Sequence, residues 1–302
     1  MLESVTDKLL IIRGQNRGRF PFSSSILITP SNCQAVLIDT GCGLNILKEL
    51  RQKFSIVTII NSHTHPDHSA GNWLFEKDNC PIYVPREGFE TAGNLFALSE
   101  RFTEPGGWLA EYWRGYITRD MGFKEWRPTH SYSPESKFDF EDVTLEPIYT
   151  PGHTVDHYCF YEPTNEILFS FDYDLTKFGP WYGHRESSIS EFKQSIQKLI
   201  DLNPRMVVPG HREIIEGSSR IIDEFQVFLK KFDERDQAIL ALLENGSRTL
   251  EQLAERAPIY GAFPYAEPLL KYWEGQMIQK HLMELQKERK VINKSDSEWA
   301  LA

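Results

Sequence analysis

The chain has 302 residues, 40% of them hydrophobic, enough for one large domain or a domain with a small appendage around a substantial core. Its formal charge of -10 disfavours broad nucleic-acid binding, which needs clustered cations to displace counterions. No apolar run approaches the roughly 20 residues that span a bilayer, and no signal-like segment opens the chain, so no membrane association and a cytoplasmic location are expected.

In chain order, β-branched and aliphatic runs at 26–28, 35–38, 56–60, 81–84, 143–145, 158–161, 167–169 and 206–208 read as buried strands. Helical stretches at 44–53 and 189–202 lie between them, which makes a layered α/β protein. Residues 87–136 are aromatic-rich and Gly-punctuated, too long for a plain connection. Helices covering something are expected there, either as a wall over the active site or as aromatics packed on the core.

From Ser218 onward helical periodicity takes over, with Ile221, Phe225, Phe228 and Phe232 on one face. A helix at 249–257 starts on Thr249 as its cap, and another covers 268–290. Two short runs, 291–293 and 298–300, flank polar residues as a closing hairpin. Residues 218–302 thus read as a small, mainly helical, winged-helix-like domain beside a catalytic domain of residues 1–217. Cys33, Cys42, Cys80 and Cys159 form no CxxC pair and are expected to be reduced thiols packed as small hydrophobes.

Several strands end in polar or Gly-containing turns, at Asp39-Thr40-Gly41, Asn61-Ser62-His63, Thr150 to His153 and Val208 to His211. Loops just past strand ends are where a rigid sheet positions functional groups. The densest signal is Ser62 to Gly71, SHTHPDHSAG. Extended backbone sends alternate side chains to one side, so His63 and His65 can converge on one ion. Asp67 and His68 follow where the chain turns into a helix and can serve a second. Imidazole and carboxylate suit zinc or iron(II), with geometry choosing among metals.

These residues, with His153 in TPGHT, Asp172 in LFSFD and His211 in VVPGH, resemble the metallo-β-lactamase superfamily over roughly residues 20 to 220. The resemblance implies a four-layer αββα sandwich and two divalent ions, zinc foremost and iron or manganese as alternatives. One ion would be held by His63, His65 and His153, the other by Asp67, His68 and His211, with Asp172 between them and Asp39 supporting the ligands. Phe171 stands where the family carries glycine. A hydroxide bridging the ions would be the nucleophile, the metals would stabilise developing oxyanion charge, and Asp67 or a metal-bound water would carry a proton to the leaving group.

Among the other histidines, His184 could reach substrate, whereas His130, His157 and His281 read as surface or structural. The reaction expected is hydrolysis of a small ester, thioester or lactone. One alternative is an endoribonuclease, because the C-terminal segment also resembles the winged-helix tail of β-lactamase-like endoribonucleases and related bacterial hydrolases. Another is an iron-dependent redox protein of the same fold. The expected partners are a small-molecule substrate, RNA in the second reading, and a second copy of the chain in a homodimer.

Overall fold

A computed structural model of the protein describes residues 2–30, 34–295 and 298–302; Cys33 and residues 296–297 of the closing hairpin lie outside the described residues. Among the described residues the strands form two mixed sheets and a small third one. The first sheet runs in chain order: β1 (Leu2–Ser4), β2 (Leu9–Ile12), β3 (Ser25–Ile28), β4 (Gln34–Ile38), β5 (Ser55–Ile60), β6 (Ile82–Pro85) and β7 (His130–Tyr132). It is antiparallel up to β4 and parallel from β4 to β7. The second contains β8 (Phe138–Phe140), β9 (Val143–Tyr149), β10 (Tyr158–Glu162), β11 (Ile167–Phe171), β12 (Met206–Pro209) and β13 (Ile215–Glu216), in the order β13-β12-β11-β10-β9-β8. Its one parallel pairing joins β11 to β12. The third is β14 (Arg248–Thr249), β15 (Val291–Ser295) and β16 (Glu298–Leu301), with β16 central.

The helices are α1 (Leu44–Lys53), α2 (Pro66–Ser69), α3 (Trp73–Glu76), α4 (Leu95–Phe102), α5 (Trp108–Tyr116), α6 (Ile189–Leu202), α7 (Ser218–Leu243), α8 (Leu250–Ala254) and α9 (Glu267–Lys287). Side-chain alternation along β4 creates the layers. Ala35 and Leu37 join a core with Leu47 and Leu50 of α1, whereas Val36 and Ile38 join the core between the two sheets, against Phe160, Phe169 and Val208. On the far side of the second sheet, Cys159, Leu168 and Val207 pack under Phe192 and Ile196 of α6 and Phe225 of α7. Helices therefore flank a pair of sheets. Cys42, Cys80 and Cys159 are free and buried, as their use as small hydrophobes requires, and burial pushes the Cys42 thiol up to about 12.

Six strands escape the sequence pattern: β1, β2, β7, β8, β13 and β14. β1 and β2 extend the first sheet at its N-terminal edge, and β7 lies inside the aromatic-rich insert, where it adds to β6 as an edge strand. None of the three residues of β7 is aliphatic, so no hydrophobic run announces it; its Tyr132 is buried and donates to the Asn61 carbonyl at 2.7 Å. The insert's other elements are α4 and α5. Its Trp113, Phe123 and Trp126 pack in the core with α1, while Phe102 also faces the cavity described below.

The C-terminal region does not hang free. Leu270 and Trp273 of α9 enter the first core, Met277 the third, and Ile278, Leu282 and Leu285 a fourth core with α8, β15 and β16. Thr249 caps α8 as its sequence suggests: its hydroxyl accepts from the Gln252 amide, and the Gln252 side chain accepts from the Thr249 amide. Arg235 of α7 is buried and donates to the carbonyls of Phe178 and Pro180 at 2.7 and 2.6 Å. Glu274 of α9 is fully buried and accepts from the Ile259 and Tyr260 amides at 2.8 and 2.9 Å. Replacing Glu274 by Ala strands both amides, and urea denaturation should show a stability loss of about 2 kcal/mol, with Glu274→Gln losing less.

Candidate metal centre

After β5 the chain bends at Ser62 and His63, then enters at Pro66 the single turn of α2, which carries Asp67 and His68. The loop after β4 presses on that turn. A Cβ at Gly41 would lie 1.4 Å from the Asp67 carbonyl oxygen, so only glycine permits the approach. Asp39, at φ 59°, folds back at this loop and accepts from the Ser62 amide and hydroxyl, both at 2.8 Å, and from His68 Nδ1 at 2.7 Å. It thereby ties Ser62, at the start of the ligand run, to His68.

Two ligand groups result. His63, His65, His153 and Asp172 form one; Asp67, His68, His211 and Asp172 form the other, each with its ligand atoms within 4.8 Å of one another. Asp172 is common to both groups. His63 Nδ1 donates to the Ser62 hydroxyl at 3.0 Å, which itself donates to Asp39; His153 Nδ1 donates to the Trp181 carbonyl at 2.8 Å, and His211 Nδ1 to the Gly18 carbonyl at 2.8 Å. These contacts fix the tautomers and leave Nε2 of each ring turned inward. His65 is the exception: its Nδ1 faces His153 Nε2 at 3.0 Å.

The donor set fits metal ions. Buried nitrogens His63 Nε2, His65 Nε2 and His68 Nε2, and Asp172 Oδ1, make no aligned hydrogen bond. Burial holds His63 and His65 well below the usual imidazole range, in the neutral form that ligates. Burial would also lower His68, but the adjacent Asp172 and Asp39 outweigh it and hold the ring well above that range. His211 is likewise raised, to about 9, against the effect of burial, by Asp172 and Asp67. Without cations, the carboxylates of the second group keep protons on its imidazoles, so metal binding there displaces protons.

Asp172 reaches the centre through an unusual backbone. Phe171 has φ 47°, a left-handed conformation that costs a non-glycine residue about 1–2 kcal/mol. The β11–β12 register shifts between Phe169 and Phe171, and the Phe171 carbonyl accepts from the Gly210 amide at 2.9 Å. The twist swings Asp172 out of the sheet. The Phe171 ring is buried between the sheets, a gain of roughly 1.5–3 kcal/mol that offsets the strain.

His184 is brought near but does not face the cavity. It is fully buried against Phe102 and His65, with ring centroids 3.9 and 4.6 Å away, and burial lowers it to about 4. His157 is buried too, accepting from the Asp172 amide at 3.4 Å on the ring edge opposite its Thr150 contact. His281 bridges Asp236 and Tyr182, and His130 is exposed and stacked on Tyr83.

Sequence reading missed several supporting groups. Asp156, three residues after His153, is buried and pairs with Arg101 of the insert. Asp174 lines the cavity, and burial raises it to about 6. Its placement two residues after Asp172 was the available signal; Arg101, far away in the chain, gave none. Trp181 follows the third ligand strand and supplies both a carbonyl to His153 and an indole that donates to the Tyr260 hydroxyl at 2.6 Å.

A cavity of about 1230 Å³ opens over His65, Asp67, His153, Asp172 and His211. Phe102, Trp181, Phe228, Tyr260, Leu270 and Trp273 supply apolar walls, and Phe20 stacks on Tyr265 near its edge at 6.3 Å. Most of these wall residues come from the C-terminal region.

The sequence profile of the Metallo-beta-lactamase superfamily matches residues 18–211. An atrochrysone carboxyl ACP thioesterase of Aspergillus fumigatus is 25% identical over 287 residues, covering 87% of this chain and 76% of that one. The Beta-lactamase-like protein 2 homolog of Caenorhabditis elegans is 22% identical, covering 93% and 86%. The crystal structure of a metallo-beta-lactamase family protein from Thermus thermophilus superposes with a TM-score of 0.74 at 19% identity, over 99% of this chain and 100% of that one. With its ligand groups in order and its fold shared along the whole chain, this protein belongs to the metallo-beta-lactamase superfamily of hydrolases.

Proposed function

We propose that the protein is a dinuclear metal-dependent hydrolase of a small ester, thioester or lactone, with zinc as its ion. The observation that carries this reading is the cavity: its apolar walls converge directly over both ligand groups. Enclosure of this kind suits an acyl group of limited size. Of the four lining cations, Arg212 is paired with Glu224 at 3.1 Å and Lys231 with Glu234 at 2.6 Å; Arg19 and Lys177 are the other two, and the carboxylates of Asp67, Asp172, Asp174, Glu213 and Glu224 share the same lining. An RNA backbone would instead call for an uncompensated cationic track. The similarity to an ACP thioesterase supports the thioester option in particular.

The C-terminal region fits the same reading. Lys287 and Lys290 are engaged by Glu284 and Glu288 at 2.9 and 2.7 Å. Residues 218–302, in this proposal a winged-helix-like module, serve as a wall of the substrate cavity through Tyr260, Tyr265, Leu270 and Trp273.

When bound, two divalent ions would acidify a water and polarise the scissile carbonyl. The residues do the rest. Asp39, the Trp181 carbonyl and the Gly18 carbonyl hold His68, His153 and His211 in fixed orientations, so little reorganisation accompanies the reaction. Phe102, Trp181 and Trp273 exclude bulk water and seat the acyl group. Asp67 lies at the cavity floor with its carboxylate 3.6 Å from His211 Nε2, where it would be within reach of the leaving group and could relay a proton to it.

His63→Ala combined with His65→Ala should remove one metal equivalent, measured by elemental analysis, and abolish hydrolysis; full turnover by that variant in chelator-treated buffer would sink the mechanism. Trp273→Ala should lower kcat/KM for a bulky acyl thioester about tenfold and for a short acetyl thioester by less, the smaller loss reporting the disturbed Phe102 contact. Cleavage of single-stranded RNA at a rate above that of every ester, thioester and lactone tested would reverse the substrate assignment.

A further inference from the structure

We propose that Arg101, carried by α4 of the insert, is a positioning residue for the ion held by His63, His65 and His153. This inference rests on the metal-centre reading above. The chain of contacts begins at Thr64, between two ligands of that ion. Its amide and hydroxyl donate to Asp156 Oδ2 at 3.1 and 2.5 Å. Asp156 belongs to the loop that carries the third ligand, His153, and its other oxygen accepts from Thr154 at 2.6 Å. One carboxylate therefore ties the two ligand-bearing loops together.

Arg101 closes this tie from the other side. Its guanidinium donates to Thr64 Oγ1 at 2.7 Å, to Asp156 Oδ1 at 2.8 Å and to Glu186 Oε1 at 2.9 Å. The residue after Glu186, Ser187, donates through its hydroxyl to the His153 carbonyl at 2.7 Å. A single planar fork thus spans three loops, a geometry that lysine cannot reproduce. The start of the insert also makes room for it, since a Cβ on Gly88 would lie 2.3 Å from Asp156 Oδ2.

Stability alone is a poor reason to keep such a group. The Asp156 side chain is fully buried and that of Arg101 is 10% exposed, and a desolvated ion pair gains little over apolar packing of the same volume. What it does provide is a fixed separation between His63–His65 and His153. The other ion depends on different supports: Asp39 for His68, the Gly18 and Phe22 carbonyls for His211, and the Ser23 hydroxyl on the Asp67 carbonyl. Loss of Arg101 should therefore be felt by one ion and spare the other.

The test starts from protein loaded with zinc and measures both dissociation constants by chelator competition, with cobalt(II) absorption spectra as a second readout. Arg101→Met and Thr64→Val should each weaken one equivalent about 10- to 100-fold, leave the other within about threefold, and alter the cobalt spectrum. Thr64→Ser should restore wild-type affinity, whereas Arg101→Lys should not. Should Arg101→Met fail to fold, Thr64→Val decides, because it keeps the Arg101–Asp156 pair. Two-zinc wild type with folded variants that match it overturns the clamp alone, as does equal weakening of both equivalents; a wild-type chain that takes up no metal overturns the metal-centre reading as well.

Discussion

Everything in this molecule answers to the problem of holding five imidazoles and two carboxylates in one dry place. Asp172 alone lies 2.7 Å from His68 Nε2, 3.0 Å from His153 Nε2 and 3.4 Å from His211 Nε2. Such a cluster is stable only when cations, or protons in their stead, balance the carboxylates. Its rings must also be kept from collapsing into ordinary hydrogen bonds with each other. The fold achieves this by giving the outer nitrogen of His63, His68, His153 and His211 a dedicated acceptor, so that the inner nitrogen has no other employment.

Those acceptors come from distant parts of the chain, and this explains the sandwich. Asp39 leaves β4, the ligand run leaves β5, His153 follows β9, Asp172 follows β11 and His211 follows β12. Two sheets packed face to face bring these strand ends to one edge, and close backbone approaches bring them within reach. Gly41 admits the α2 turn, Gly152 at φ 125° would otherwise collide with the Phe192 amide at 2.3 Å, and Phe171 accepts strain to turn Asp172 inward.

The ligands were legible in the sequence because they are dense or fall at strand ends marked by Gly and Pro. His63 to His68 are local in the chain, and His153 and His211 sit in PGH turns that announce a strand end. Strands were legible in buried aliphatic runs such as β4, β5 and β11, although the equally apolar β2 escaped, and β7 gave no signal: an edge strand of His130, Ser131 and Tyr132 carries no hydrophobic run. The supporting groups were also invisible, for a different reason. Arg101 reaches Asp156 across 55 positions and Trp181 reaches Tyr260 across 79, and no local pattern encodes such pairings. His184 drew notice through its proximity in sequence to Asp172, yet the chain between them turns it into the wall behind His65 rather than into the cavity.

The cavity wall and the ligand groups are thus built by different parts of the chain but are not mechanically separate. The superfamily profile covers residues 18–211, which contain every ligand, whereas Tyr260, Tyr265, Leu270 and Trp273 lie beyond it and line the cavity. Trp181 joins the two, since its carbonyl orients His153 while its indole donates to Tyr260, whose amide is in turn held by Glu274 of α9. Trp273 meets the insert in the same manner, donating to the Phe102 carbonyl at 2.8 Å, one residue from Arg101. A change in the cavity wall of this architecture therefore acts on the ligand geometry too, and the aromatic residues that line the cavity are also part of what keeps the ligand groups in shape.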